Sequence, residues 1–336
     1  MAGKPPLHVC LVAIPGTLSA PIAGLYEVLT AFPAVAGFHD DVPASPPFVV
    51  DIVGHERTNL TAVSGLPIAV QRSIREVERT DIVIVTTMAV DAGWERGRDP
   101  ELAGWMRRMH EGGALLCSAC TGIFVLAETG LLDGGRATTH WAFAPVFQRS
   151  FPDVELCLDE VLVTAGEGEE FVMSGGAASW QDLALYLIGR FVNPAASRAI
   201  AKFELFQPHA EGQAPYLPFS PPTSHGDALV LGLQQWLGNH FAVASPVAEM
   251  TRKSGLSPRA FTRRFKRATG YSPIAYVQRL RVEEAKRRLE QTDAPIDEIA
   301  WEVGYEDAAA FRRLFKRIAR VTPGTYRRRF TMPDLT

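Results

Sequence analysis

The sequence predicts two domains of different class. The first is an α/β domain, a parallel sheet flanked by helices in the flavodoxin-like manner. The second is all-α, with two helix-turn-helix motifs. Three observations predict this. Short apolar β-rich runs alternate with helix-compatible stretches through residues 1–206. Prolines then cluster between Gln207 and Asp227. Beyond them a basic pattern is written twice, about fifty positions apart: Phe261, Phe265, Pro273 and Tyr276 return as Phe311, Phe315, Pro323 and Tyr326.

Four runs in the first part read as buried strands: His8–Ile14, Phe48–Val53, Asp81–Thr86 and Ala114–Ser118. Pro100–His110 reads as a crossover helix, with Leu102, Trp105, Met106 and Met109 at 3–4 spacing, and Gln181–Phe191 closes the domain as another apolar helix. Pro208, Pro215, Pro218, Pro221 and Pro222 prevent a helix, so 207–226 is expected to be a semi-rigid linker, with the boundary near residue 220. A new helix begins at Asp227–His240, and the second domain is expected to span 227–330.

In the first copy of the repeat, Ser257 followed by Pro258 is an N-cap with proline at the first helical position. If Phe261 and Phe265 point inward, 100° per residue puts Arg259, Thr262, Arg263, Lys266 and Arg267 on the opposite face. In the second copy Asp307 is the cap, and Ala309, Arg312, Arg313, Lys316 and Arg317 point outward. A helix, a glycine turn and a second helix with a basic outer face is how a chain enters a DNA groove. The second copy opens with Ala308-Ala309-Ala310 and has no hydrogen-bonding side chain in its first turn. Unequal halves are therefore expected, the first reading bases and the second gripping backbone. Pro273–Gln291, with Ile274, Val277, Leu280, Ala285 and Leu289 on an inward stripe, would hold the reading helices about one DNA turn, ~34 Å, apart.

The charge fits this division. The chain of 336 residues carries a net −3, but residues 225–336 hold 20 Lys and Arg against 12 Asp and Glu, a net +8, and residues 1–224 a net −11. An acidic body carrying a basic module suits a polyanionic partner. No run approaches the roughly 18–20 apolar residues needed to cross a bilayer. The N-terminus has no signal-peptide layout, and four cysteines make no disulfide framework in a chain this long. A cytoplasmic protein with no membrane partner is expected.

The pieces Ser257-Pro258-Arg259, Phe265-Lys266, Thr269-Gly270-Tyr271-Ser272-Pro273, Ile299-Ala300, Val303-Gly304-Tyr305, Phe315-Lys316 and Thr322-Pro323 resemble the AraC/XylS family of bacterial transcription regulators over residues 227–330. The resemblance implies promoter DNA and RNA polymerase as partners, activation as the expected sign, and a nucleoid-associated state when bound. It also implies that Arg259, Thr262, Arg263 and Arg313 face the bases. One departure is Ile318-Ala319-Arg320-Val321, where members commonly carry a Thr-Gly pair.

Cys120 is the chemically most conspicuous residue of the first domain. It follows the strand Ala114–Ser118 and begins the helical run Thr121–Ala127, a placement expected to expose the sulfur and favour its thiolate. His140 and Trp141, twenty residues on, are expected to approach it, so Cys120, Thr121, His140 and Trp141 form the candidate ligand pocket. Three roles are open to Cys120: pocket residue, oxidation-sensing thiol, or inert buried cysteine. Cys117, three residues earlier, is expected inside the strand, and no metal centre or cofactor is expected.

The blocks Cys120-Thr121-Gly122, Gly130-Leu131-Leu132-Asp133-Gly134 and Ala137-Thr138-Thr139-His140-Trp141 resemble the PfpI-like branch of the glutamine-amidotransferase-like fold. Joined to an AraC-type tail, this looks like the GlxA group of regulators, and implies a domain that senses a small-molecule effector and forms a homodimer. Catalytic relatives place a carboxylate shortly after the first strand and a Gly-Gly turn after the third. Here the acid position falls near Pro21, with no Asp or Glu before Glu27, and the turn reads Thr86-Thr87-Met88. No catalytic residue is therefore assigned. The alternative is a cysteine-dependent hydratase or amidase-like enzyme fused to a DNA-binding module.

Overall fold

The structure, a computed structural model, describes residues 5–331. By internal packing the chain divides into two units, 1–213 and 214–336.

In the first unit the strands run in chain order as β1 (Leu7–Val12), β2 (Phe48–Gly54), β3 (Asn59–Thr61), β4 (Pro67–Ala69), β5 (Arg72–Ser73), β6 (Ile82–Val85), β7 (Leu115–Ala119), β8 (Arg136–Ala137), β9 (Glu155–Leu156), β10 (Leu162–Ala165) and β11 (Phe171–Ser174). Seven of them form one sheet in the order β10-β11-β7-β6-β1-β2-β5, while β3–β4 and β8–β9 are small separate pairs. The large sheet is parallel except where β10 meets β11. That antiparallel edge hairpin was not foreseen, because β10 is short and only partly buried.

Strand alternation assigns the two faces. Val9, Leu11, Ile82, Ile84 and Cys117 pack toward α1 (Ser19–Thr30), α2 (Phe32–Val35), α6 (Trp180–Phe191) and α7 (Pro194–Phe203). Cys10, Val12, Val83, Val85 and Leu116 pack toward Trp105 and Met106 of α3 (Pro100–Glu111), Phe124 of α4 (Ile123–Ala127) and Phe147 of α5 (Ala144–Ser150). A sheet covered on both faces explains why its central strands read as continuous apolar runs.

The unit division falls inside the proline-rich segment. His209 binds Asp182 through both its backbone N–H and its ring Nδ1, each at 2.8 Å, and Gln213 is buried against Thr138 and Thr139. Farther along, the Leu217 carbonyl accepts from Lys286, and Phe219 packs edge-on against Tyr271 and Tyr276. The segment is thus held on each unit by its own end.

The second unit contains α8 (Ala228–His240), α9 (Pro246–Ser254), α10 (Pro258–Thr269), α11 (Pro273–Gln291), α12 (Ile296–Glu302), α13 (Ala308–Ala319) and α14 (Pro323–Phe330). It has two small cores. Phe261 and Phe265 join Leu233, Leu237, Met250 and Tyr276, while Phe311 and Phe315 join Ile299, Val303 and Tyr326. The helix α11 serves both, giving Tyr276 and Val277 to the first and Val282, Ala285 and Leu289 to the second. This double duty corrects the single inward stripe: Val277, Ala285 and Leu289 are buried, but Ile274 is 60% exposed. Among the described residues no helix is long and apolar enough to cross a membrane.

Candidate functional site

The repeat recurs as geometry. Phe265 meets Tyr276 edge-on at 5.3 Å and 86°, and Phe315 meets Tyr326 at 5.6 Å and 80°. Both reading helices begin at the expected caps: Ser257 accepts from the Ala260 N–H and Asp307 from the Ala309 N–H. Gly255 at φ 65° and Gly304 at φ 89° make the turns before them, a conformation that glycine adopts without steric cost. A Cβ on Gly304 would also lie 2.5 Å from the Ala242 carbonyl oxygen.

All ten expected outward side chains are exposed: Arg259, Thr262, Arg263, Lys266 and Arg267 on α10, and Ala309, Arg312, Arg313, Lys316 and Arg317 on α13. Their surroundings differ. Among the described residues no hydrogen bond or ion pair engages the side chains of Arg259, Arg263, Lys266 or Arg267. On α13, Arg312 pairs with Asp297, Arg313 lies 3.7 Å from Asp307, and Arg317 donates to Gln278 at 3.0 Å. Arg264, outside the expected set, grips Asp227 through two bonds of 2.7 and 2.9 Å. This pair holds the Asp227 carboxyl down at about 2.

Sequence reasoning missed the residue that fixes the two copies together. Arg281 on α11 is 7% exposed and donates to three carbonyls, those of Phe241 and Val243 beside the first motif and of Gly304 in the second turn, at 2.8–2.9 Å. Its guanidinium also lies over the Tyr305 ring. A buried arginine inside a helix reads as surface charge until its carbonyl partners are known.

In the first unit the carboxyl ends of β6, β7 and β11 converge, the place where open α/β sheets hold ligands. Cys120 stands just past β7 with φ 56°, a left-handed conformation for a non-glycine residue and so a strained elbow. The elbow is tight: a Cβ on Gly122 would lie 2.2 Å from the Val85 carbonyl oxygen. The expected exposed thiolate is corrected. Cys120 is 2% exposed, and burial pushes its thiol above the ordinary range despite hydrogen bonding with Thr87 and Thr121. The helical run after it is a single 3₁₀ turn leading into the five-residue α4, all of it buried, so the thiol is enclosed.

The Thr139 hydroxyl donates to the Cys120 carbonyl at 3.0 Å, so the two conspicuous blocks adjoin. Among the described residues no hydrogen bond joins the Cys120 thiol to the His140 ring. Instead, His140 Nδ1 accepts from the Ala142 N–H, and its ring lies against Trp141 and Phe143. Partial burial lowers its pKa, so it is neutral at pH 7. Where enzymes of this fold would present an oxyanion-binding N–H, the Met88 N–H donates to Thr121 Oγ1 at 2.9 Å, and that hydroxyl donates back to the Met88 carbonyl at 2.6 Å. Among the described residues the buried hydroxyls of Thr86 and Ser118 make no hydrogen bond.

Comparisons with known proteins agree with both halves. Residues 250–329 match the helix-turn-helix domain family and residues 42–174 the DJ-1/PfpI family. The HTH-type transcriptional regulator GlxA of Rhizobium meliloti is 29% identical over 229 residues, 67% of this chain and 68% of that one. The HTH-type transcriptional regulator CdhR of Pseudomonas aeruginosa is 26% identical over 261 residues, 76% of this chain and 74% of that one. Among solved structures, a Vibrio parahaemolyticus protein described as a transcriptional regulator superposes with a TM-score of 0.50 at 23% identity, covering 59% of this chain and 99% of its own, a likeness of fold. The chain therefore joins a DJ-1/PfpI-type α/β domain to an AraC-type helix-turn-helix domain, and is similar over two thirds or more of its length to the HTH-type transcriptional regulators GlxA and CdhR.

Proposed function

We propose that this chain is a transcription regulator that sets α10 and α13 into successive major grooves of promoter DNA, with a small molecule bound by the α/β domain controlling that act. The observation that carries it is the repeated helix-turn-helix geometry with its exposed side chains, Arg259, Thr262, Arg263, Lys266 and Arg267 on one helix and Ala309, Arg312, Arg313, Lys316 and Arg317 on the other. The unengaged α10 side chains favour base reading, since arginine can clamp a guanine edge bidentately. The α13 arginines, already turned toward protein groups, suit phosphate contacts that position without specifying. Selection of binding sites from random DNA tests this: one sharply specified half-site and one weak one are expected. Two equally sharp halves would overturn the unequal assignment, and no enrichment would overturn the function.

For the α/β domain we favour a sensor over an enzyme. Burial keeps the Cys120 thiol protonated, the Met88 N–H is already taken, and Pro21 stands where catalytic relatives carry an acid. Cys120, Thr121, His140 and Trp141 are proposed to border the effector. The effector must bind the DNA-competent state more tightly than the other, because equal affinity shifts nothing. Homodimerisation through this domain, activation through contact with RNA polymerase, and residence in a bacterial cytoplasm complete the proposal. Cys120→Ser in the full chain discriminates: an altered promoter response without turnover supports the sensor, and loss of a turnover with an unchanged promoter response supports the enzyme.

A further inference from the structure

Gln213 is the last residue of the first unit and is buried. Its side-chain amide Nε2 faces three acceptors: Thr139 O at 3.0 Å, Thr138 Oγ1 at 3.2 Å and Glu160 O at 3.3 Å. Its backbone N–H donates to Asp159 O at 3.0 Å. The fit is close, since a Cβ on Gly175 would lie 2.3 Å from Nε2 and one on Gly212 would lie 1.9 Å from Asp159 O. Yet Gln213 Oε1 is buried with no hydrogen-bond partner. A contact held on one side and desolvated without return on the other is weaker than its burial suggests.

Two neighbouring facts give this contact a direction. Thr139, whose carbonyl holds Gln213, donates its hydroxyl to the Cys120 carbonyl, so Cys120 and Gln213 grip the same residue. On the far side of the division, the Leu217 carbonyl is held by the buried Lys286 of α11. Between these anchors lie Ala214 and Pro215, and Tyr216, which itself packs edge-on against Phe330. At roughly 3.5 Å per residue, the chain from Gln213 to Leu217 can span at most about 14 Å. With Gln213 released, the chain can slacken at most back to His209 on Asp182, and the upper limit doubles to about 28 Å.

We propose that Gln213 is a latch that sets the length of chain joining the two units, and that an occupant beside Cys120 works it by displacing Thr138–Thr139. Movement of that pair withdraws two of the three acceptors and leaves only the longer contact to Glu160 O, so one N–H of the buried amide is unsatisfied and residues 210–213 leave the α/β unit. This rests on the sensor reading above and adds the route from that site to the linker. A doubled tether alters the effective concentration of one linked module about another by about threefold.

The test uses the full chain with no effector added, so it does not depend on knowing one. Gln213→Ala should speed hydrogen exchange at the amides of Gly212, Gln213 and Thr138–His140. It should also shift affinity for DNA carrying two selected sites by up to about threefold, with affinity for a single site unchanged. Thr139→Val, which keeps the shape and removes the hydroxyl that reaches Cys120, should speed exchange at the Gly212 and Gln213 amides by about fivefold, the worth of one ordinary hydrogen bond. Should Gln213→Ala misfold, Thr139→Val carries the same test. Accelerated exchange with unchanged two-site affinity would overturn the latch while leaving the sensor reading intact, as would an equal shift on single-site DNA. Unchanged exchange at Gly212 and Gln213 in Thr139→Val would overturn the link to Cys120. Failure of the sensor reading is seen separately, in the promoter response of Cys120→Ser.

Discussion

In the first helix-turn-helix copy Arg259, Arg263, Lys266 and Arg267 face solvent unengaged, whereas in the second Arg312, Arg313 and Arg317 are turned to Asp297, Asp307 and Gln278. Beneath that difference the two cores repeat: Phe261 and Phe265 stack at 5.6 Å and 58°, Phe311 and Phe315 at 5.8 Å and 58°. Other positions diverge more. Arg264, paired with Asp227, occupies the place that buried Leu314 takes fifty residues later, and Gly270 at a helix end is matched by Arg320. The two copies are most alike in the paired phenylalanines of their cores, where packing tolerates little, and least alike in what their surface arginines meet.

The largest effect tests the shared part. Phe265→Ala and Phe315→Ala each empty a fully buried site and should each destabilise the second unit by about 3–5 kcal/mol in chemical denaturation. A markedly smaller loss for one would show that the cores are not equivalent.

DNA binding tests the divergent part. Arg263→Ala should weaken selected-site binding by about 1–3 kcal/mol and relax preference at one base pair. Arg312→Ala should weaken all sequences alike and reduce the salt slope by about one. The Arg312–Asp297 pair is exposed and worth about 0–1 kcal/mol, so it is no barrier to a phosphate contact. Exchanged outcomes would reverse the assignment of reading and gripping copies.

A smaller difference should appear in acid. The Asp227 pKa is lowered to about 2, first by Arg264. A depressed carboxylate contributes stability that is full above its unfolded pKa of ~3.9 and is lost as pH falls through the folded value. Melting between pH 5 and pH 2 should therefore fall more steeply in the native protein than in Asp227→Asn, whose melting should already be lower at pH 5. Parallel curves would break the claim that the first copy leans on this pair.

Smallest of all is Arg320→Gly. Arg320 sits at φ 61° where the first copy has Gly270 at φ 79°, and relieving that conformation should raise stability by about 0.5–1 kcal/mol. The same departure was visible in the sequence as a missing Thr-Gly pair, but its backbone cost was not.

What the sequence disclosed follows what periodicity encodes. The runs around β1, β2, β6 and β7, the helices α3, α6, α8 and α11, the caps Ser257 and Asp307 and the outward faces of α10 and α13 are set by local spacing and were all legible. Features set by distant partners were not. Arg281 and Lys286 look like surface charge until the carbonyls of Phe241, Val243, Gly304 and Leu217 are found beside them. Gln213 looks like linker until Thr138 and Thr139 close on it. Cys120 was located correctly on a sharp turn, but its enclosure depends on Thr87, Thr121 and the short buried α4, which no local pattern reveals.

Arg281 has one more consequence. It spans the two motifs with bonds to neutral carbonyls, so salt that loosens the outer arginines from DNA leaves this brace untouched. The protein acts as a caliper with a locked jaw. With α10 and α13 set on DNA as proposed, it should tolerate a changed base better than a site whose halves are a base pair closer or farther apart. Each base pair of misfit turns one half by roughly 34–36° about the duplex axis and carries it off the groove. On that proposal, sites for this protein should vary in the letters of each half more than in the distance between them.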